Sequence, residues 1–187
     1  LASISALPEG QNASYWWDLY GDRDAASAVT SWSTAKSFTS VLIGMAIEQG
    51  LIQSTSQSAS DFIDEWKADD RASITIQQLL DMRSGLVPKC SSFETGVVGE
   101  CDDYPSAGSG GDILYATDQL SGCIDRELAV PGSVYPWVSS GGDGTYEVGQ
   151  FYYSNCDTQV LGEILFRASG QDTGLFAQQN LFEPLNI

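Results

Sequence analysis

At 187 residues, 42% of them apolar, the chain is long enough to bury one substantial core. Its formal net charge of −17 argues against nucleic acid and anionic membranes as partners. There is no histidine, which excludes a Ser-His-Asp triad, a Cys-His pair and a histidine-ligated zinc site, so any acyl-transfer chemistry must draw its base from lysine, tyrosine or a carboxylate.

The first residues alternate loosely, and Pro8-Glu9-Gly10-Gln11-Asn12 reads as a turn. Ser14 to Tyr20 is rich in strand formers, so a β-hairpin is expected there, ended by Gly21-Asp22. No basic region precedes an apolar segment, and a signal peptide is not expected within the chain. Asn12-Ala13-Ser14 fits a glycosylation sequon.

A helix is predicted from about Thr34 to Gln49, with Gly50 as its C′ residue. Phe38, Val41, Leu42, Ile43, Met45, Ala46 and Ile47 make it apolar on nearly all sides, the pattern of a central helix buried all round. Ser33 and Lys36 stand three residues apart at its start, a spacing that puts two side chains on one helix face. A serine hydroxyl needs a neighbouring base to become a good nucleophile. A lysine can serve if burial disfavours its charged form. Of the three lysines, Lys36, Lys67 and Lys89, only Lys36 has a serine three positions earlier. An ordinary helix-capping serine and a solvated lysine are the bland alternative.

Ser60 to Trp66 is expected to form a short helix or turn. Thr75-Ile76-Gln77-Gln78 has capping-box spacing and opens a helix through Leu79, Leu80 and Met82 that stops near Gly85. From Leu86 to Gln150 the chain is rich in Gly, Ser and Pro, and reads as long loops with one helix between Asp112 and Asp125. The cysteines at 90, 101, 123 and 156 form no C-x-x-C pair and allow three pairings. Cys90–Cys101 and Cys123–Cys156 are the favoured staples, implying a secreted or periplasmic location. The apolar stripe Val160, Leu161, Ile164, Leu165 and Phe166 predicts a helix from Asp157 to Ser169, ended by Gly170. A last helix starts at Asp172 and runs to about Leu181.

Three blocks together resemble the penicillin-recognising serine hydrolases, the superfamily of class C β-lactamases, D-alanyl-D-alanine carboxypeptidases, related esterases and 6-aminohexanoate-dimer hydrolase. They are Ser33-Thr34-Ala35-Lys36 with its helix, Ile74-Thr75-Ile76-Gln77-Gln78-Leu79-Leu80-Asp81-Met82-Arg83-Ser84-Gly85-Leu86, and Tyr153-Ser154-Asn155 before a helix. Leu181-Phe182-Glu183-Pro184-Leu185 also resembles a family segment. The wording around Ser33 leans towards the 6-aminohexanoate-dimer hydrolase branch. The resemblance implies an α/β fold, an antiparallel sheet with a mainly helical region. Residues 1–53 would hold the N-terminal part with the nucleophile helix, and residues 54–187 the helical region.

It also implies an acyl-enzyme on Ser33, with Lys36 and Tyr153 moving protons and Asn155 binding a substrate amide. The Ser33 backbone N–H would supply half of an oxyanion hole. Tyr152, Trp137 and Tyr104 are candidate cleft walls, with core packing the commoner use of such rings. No cofactor or metal is implied, and Asp69-Asp70 and Asp102-Asp103 read as solvated loops. The family's third motif, Lys-Thr-Gly or His-x-Gly on a late strand, has no match here. A second polypeptide, or a C-terminal segment beyond this chain, is therefore expected to complete the sheet and the site. The implied substrate is a small amide or ester. A β-lactamase, a D-Ala-D-Ala carboxypeptidase and a non-catalytic binding protein that keeps the fold are the alternatives.

Overall fold

A computed structural model describes residues 31–89, 113, 116–138 and 145–187. The expected N-terminal hairpin, the Asn12 sequon, Cys90, Cys101, Asp102-Asp103 and Tyr104 lie outside these residues. The chain divides into two compact units between Ala35 and Lys36. Of the first unit, the turn that leads into the helix beginning at Thr34 is described. The Thr34 N–H donates to the Ser31 carbonyl and the Ala35 N–H to that of Trp32, both at 3.2 Å.

The described residues are mainly helical. Helix α1 spans Thr34–Glu48, α2 Ile76–Leu80, α3 Gln119–Ile124, α4 Asn155–Ser169, α5 Thr173–Ala177 and α6 Glu183–Leu185. Short 3-10 turns cover Ala59–Asp61, Asp64–Trp66, Asp70–Ser73 and Pro136–Val138, and Gln178–Phe182 is a π-helical turn joining α5 to α6. β-Pairing among the described residues is confined to isolated antiparallel bridges, Ser58 with Thr75, Leu86 with Leu128 and Val134 with Thr145.

Local chemistry explains where these elements begin and end. The Thr75 hydroxyl accepts the Gln78 N–H at 3.2 Å, and the Gln78 side chain accepts the Thr75 N–H at 2.9 Å. This is the expected capping box at the start of α2. Thr75→Ala should cost about 1 kcal/mol, read as a lower urea midpoint with an unchanged m-value. Ser154 caps α4 and Gly170, at φ 67°, ends it. The predicted start at Asp157 was two residues late, because the cap satisfies backbone donors that precede the apolar stripe. Past α2, Met82 (φ 53°) and Gly85 (φ 79°) turn the chain sharply. Only glycine suits position 85, since a Cβ there would meet the Val148 Cα at 2.9 Å and its Cγ2 at 2.7 Å.

Helix α4 is the hub of the second unit. Val160, Leu161, Ile164 and Leu165 on one face of it belong to the main core, together with Ile43, Ile52, Trp66, Ile76, Leu79 and Phe176. The Cys123–Cys156 disulfide fastens its first turn to α3, as expected from the sequence. At its other end Arg167 grips Glu65 with two nitrogens (2.9 and 3.1 Å), Glu163 at 2.6 Å and the Phe62 carbonyl at 3.0 Å. That fork holds the Glu65 carboxyl below its usual range and raises the Arg167 guanidinium. Trp66, fully buried, donates from Nε1 to the Ile124 carbonyl at 2.9 Å. A smaller core gathers Val87, Ala129, Val138, Tyr146 and Tyr152.

Helix α1 is less enclosed than its composition suggested. Leu42, Ile43 and Ala46 are buried, but Ser37, Val41 and Gly44 are exposed. Its apolar residues occupy nearly the whole circumference, whereas the second unit's core contacts one stripe near its C-terminal half. The chain's last turns return to this helix. Phe182 meets Phe38 edge-on at 5.6 Å, and Gln49 donates to the Asn180 side chain at 2.8 Å.

Candidate active site

Ser33 lies in the first unit, exposed, in the turn that leads into α1. The residue before it, Trp32, has φ 48°. A bulky side chain in the left-handed region stores strain of about 1–3 kcal/mol, and such strain gathers at functional turns. Nothing in the sequence around Ser33 marked Trp32 for this conformation.

In the second unit, Lys36 and Tyr153 come together across most of the chain. The Lys36 Nζ sits 5.3 Å from the centre of the Tyr153 ring, over its face. Lys36 is half-buried and Tyr153 half-exposed, so the expected deep burial of the lysine is replaced by an aromatic face on one side. The shallow burial follows from α1, whose first turns lie outside the core stripe.

The segment that presents Tyr153 alternates. Phe151, Tyr153 and Asn155 are exposed, while Tyr152 and Ser154 are buried between them. This two-residue period is that of extended chain, in which neighbouring side chains point to opposite sides. It puts Tyr153 and Asn155 on the accessible side, with Asn155 as the first residue of α4. Tyr152 goes inwards, packing on Tyr146 at 5.3 Å in the smaller core. Trp137 is half-buried, edge-on to Tyr135 at 5.9 Å, and its Nε1 donates to the Pro88 carbonyl at 2.7 Å. Both rings are thus engaged in packing. The Asp69 carboxylate is also engaged, by Arg71 through Nε (2.9 Å), NH2 (2.7 Å) and the backbone N–H (2.9 Å).

Four residues on from Tyr153, in the first turn of α4, lies a buried acid that sequence reading missed. Asp157 is 1% exposed. Its Oδ1 accepts the Ser84 hydroxyl at 2.8 Å and the Ser154 hydroxyl at 2.9 Å. Its Oδ2 is buried with no hydrogen-bond partner among the described residues. Burial pushes the Asp157 carboxyl from an ordinary 3.8 up to about 6, against the opposing pull of the two serine hydroxyls and of Arg126. Burial also raises the Tyr146 phenol, and the Asp157 charge adds to that rise.

A carboxyl whose folded value lies above its unfolded one favours the native state when protonated. Its stabilisation is fully present below about pH 4 and is lost as pH climbs through about 6. Asp157→Asn should remove that dependence. Between pH 4 and pH 7 the stability difference should move by about 3 kcal/mol in favour of the variant. Urea midpoints at four pH values would check this, and a constant difference would refute it.

Among the described residues no group of three or more acidic or cysteine side chains could hold a metal ion, and no helix is long and apolar enough to cross a membrane. Residues 11–95 match the family described as Beta-lactamase. No curated protein matches the chain. Among solved structures, a putative 6-aminohexanoate-dimer hydrolase from Bacillus anthracis is similar, with a TM-score of 0.53 and 20% identity, covering 80% of this chain and 36% of that one. The octameric penicillin-binding protein homologue from Pyrococcus abyssi is also 20% identical, with a TM-score of 0.48, covering 82% of this chain and 30% of that one. The chain thus spans about a third of the length of these structures. The first of these structures shares its fold with this chain, and with residues 11–95 matching the Beta-lactamase family model that fold is β-lactamase/transpeptidase-like.

Proposed function

We propose that this chain carries the nucleophile half of a serine hydrolase that cleaves a small linear amide or ester through an acyl-enzyme on Ser33. The observation that carries the reading is the pairing of Lys36 with Tyr153, which joins two of the blocks noted in the sequence at one place.

In this scheme the Ser33 Oγ attacks the substrate carbonyl carbon as its proton passes to Lys36 or, through it, to Tyr153. The tetrahedral oxyanion is held by the Ser33 backbone N–H and a second donor. Collapse breaks the bond to the leaving nitrogen or oxygen, which takes the proton from Tyr153. A water molecule, deprotonated by the same pair, then attacks the acyl carbon and frees Ser33. Asn155, exposed on the Tyr153 side, orients the substrate amide.

The preference for a linear amide or ester over a β-lactam draws on the residues around Ser33 and on the printed name of the Bacillus anthracis structure. A longer or second polypeptide would supply the remaining cleft wall and the second oxyanion donor, a reading supported by the 36% coverage of that structure. The disulfide at Cys123–Cys156 favours an oxidising location, secreted or periplasmic.

The test is an intact mass spectrum of the natural protein before and after a serine-phosphonylating fluorophosphonate. The expected result is a single adduct mapping to Ser33, on a mass well above 20.1 kDa or beside a second polypeptide. No adduct, with the protein folded, would overturn the catalytic reading. A panel of a short acyl ester, a linear amide and a cephalosporin then separates esterase, amidase and β-lactamase activity.

A further inference from the structure

The segment bearing Tyr153 is tied on both sides to the same turn. On one side the Tyr152 N–H donates to the Met82 carbonyl at 2.9 Å, and the Gly149 N–H to that of Arg83 at 3.0 Å. On the other, Ser154 reaches the turn through Asp157, whose Oδ1 takes both the Ser154 and the Ser84 hydroxyls. Each serine oxygen also accepts a backbone N–H at 3.2 Å, from Asp157 and Leu86 respectively. Ser84 and Asp157 are 73 residues apart in sequence.

This arrangement is costly. A buried carboxylate loses hydration worth several kcal/mol, and one of its oxygens has no compensating bond among the described residues. Arg126, buried, favours its charge, and that charge in turn raises the buried Tyr146 phenol. Apolar side chains replacing Asp157, Ser84 and Ser154 together would pack at no greater cost, so the buried polar set is not explained by stability. What it adds is geometry. One oxygen fixes two hydroxyls, and through them fixes the backbone on either side of the turn.

We propose that Asp157 is a positioning residue that holds Tyr153 over Lys36 by locking Ser154 to Ser84. The proposal rests on the reading of Ser33, Lys36 and Tyr153 as the reacting groups. Asp157 itself, buried beneath the segment, meets no substrate.

The experiment joins two readouts. One is the ring resonance of Tyr153 in 13C-tyrosine-labelled protein, assigned by its loss in Tyr153→Phe and referenced to Lys36→Met, which removes the cation. The other is the rate of Ser33 phosphonylation by the fluorophosphonate, with loss of fluoride. In Asp157→Ala and Ser84→Ala the resonance should broaden or move towards its Lys36→Met position, and phosphonylation should slow by roughly 10–100-fold. Asp157→Asn keeps an oxygen for both hydroxyls and should restore the resonance and bring phosphonylation to within a few-fold of wild type. A Tyr153 resonance unchanged in a folded Ser84→Ala variant overturns the proposal, and that smaller change decides the matter if Asp157→Ala does not fold. A wild-type protein that the fluorophosphonate never labels defeats the proposed function instead, and leaves the resonance to judge Asp157 by itself.

Discussion

Replacing Ser33 with alanine should lower turnover of the best amide or ester substrate by about 10⁴-fold or more, the loss typical when a nucleophile that works with its base is removed. Lys36→Met should cost nearly as much, and the double variant little more than either single one. Groups that act as one unit are not additive. Tyr153→Phe keeps the ring that faces Lys36 and removes the hydroxyl alone, so its expected loss is smaller, about 10²–10⁴-fold. Steady-state rates for the four variants, with circular dichroism to show that each is folded, measure all of this. Turnover within tenfold of wild type in Ser33→Ala would remove Ser33 as the nucleophile, whereas a biological activity left unchanged by Ser33→Ala would point to a binding role for the fold.

The largest stability effect is expected at Trp66. It is fully buried beside α4, and its indole N–H reaches the Ile124 carbonyl at 2.9 Å. Trp66→Ala opens a cavity that the surrounding helices cannot close, at a cost of about 3–5 kcal/mol. The Ile124 carbonyl keeps a donor, since Arg71 NH1 also reaches it at 2.6 Å, so packing rather than the hydrogen bond carries most of the loss. For a chain of this size the melting temperature should fall by about 6–20 °C. Trp66→Phe, which restores most of the volume, should recover more than half of it. Calorimetry of both variants distinguishes the two contributions, and equal losses would mean that the indole N–H matters most.

Local signals in the sequence carried far. The capping box at Thr75, the left-handed glycines after α1 and α4, and the Cys123–Cys156 staple follow from residue types at fixed spacings, and each is present. The meeting of Lys36 and Tyr153 was approachable because each stands in a recognisable block. What stayed hidden depends on partners distant in sequence. An apolar circumference says that α1 can be buried, but not which side the second unit covers. Asp157 sits in a helix's first turn, where acids commonly complement the dipole at the surface. Only the fold shows that Ser84 lies opposite, or that the helix end is inside. Trp32 is similar, since a positive φ in a tryptophan has no local signature.

The place of α4 in the chain sets the order of assembly. Its partners, from the Ser84 turn to Trp66 and Phe62, are made long before it, and the bonds that join them span between 73 residues for Ser84–Asp157 and 105 for Phe62–Arg167. On a ribosome the earlier segments must wait with their apolar faces uncovered until Asn155–Ser169 emerges. Closing such distant contacts slows the search, so this half of the molecule should fold late and all at once, and should depend on chaperones while it waits.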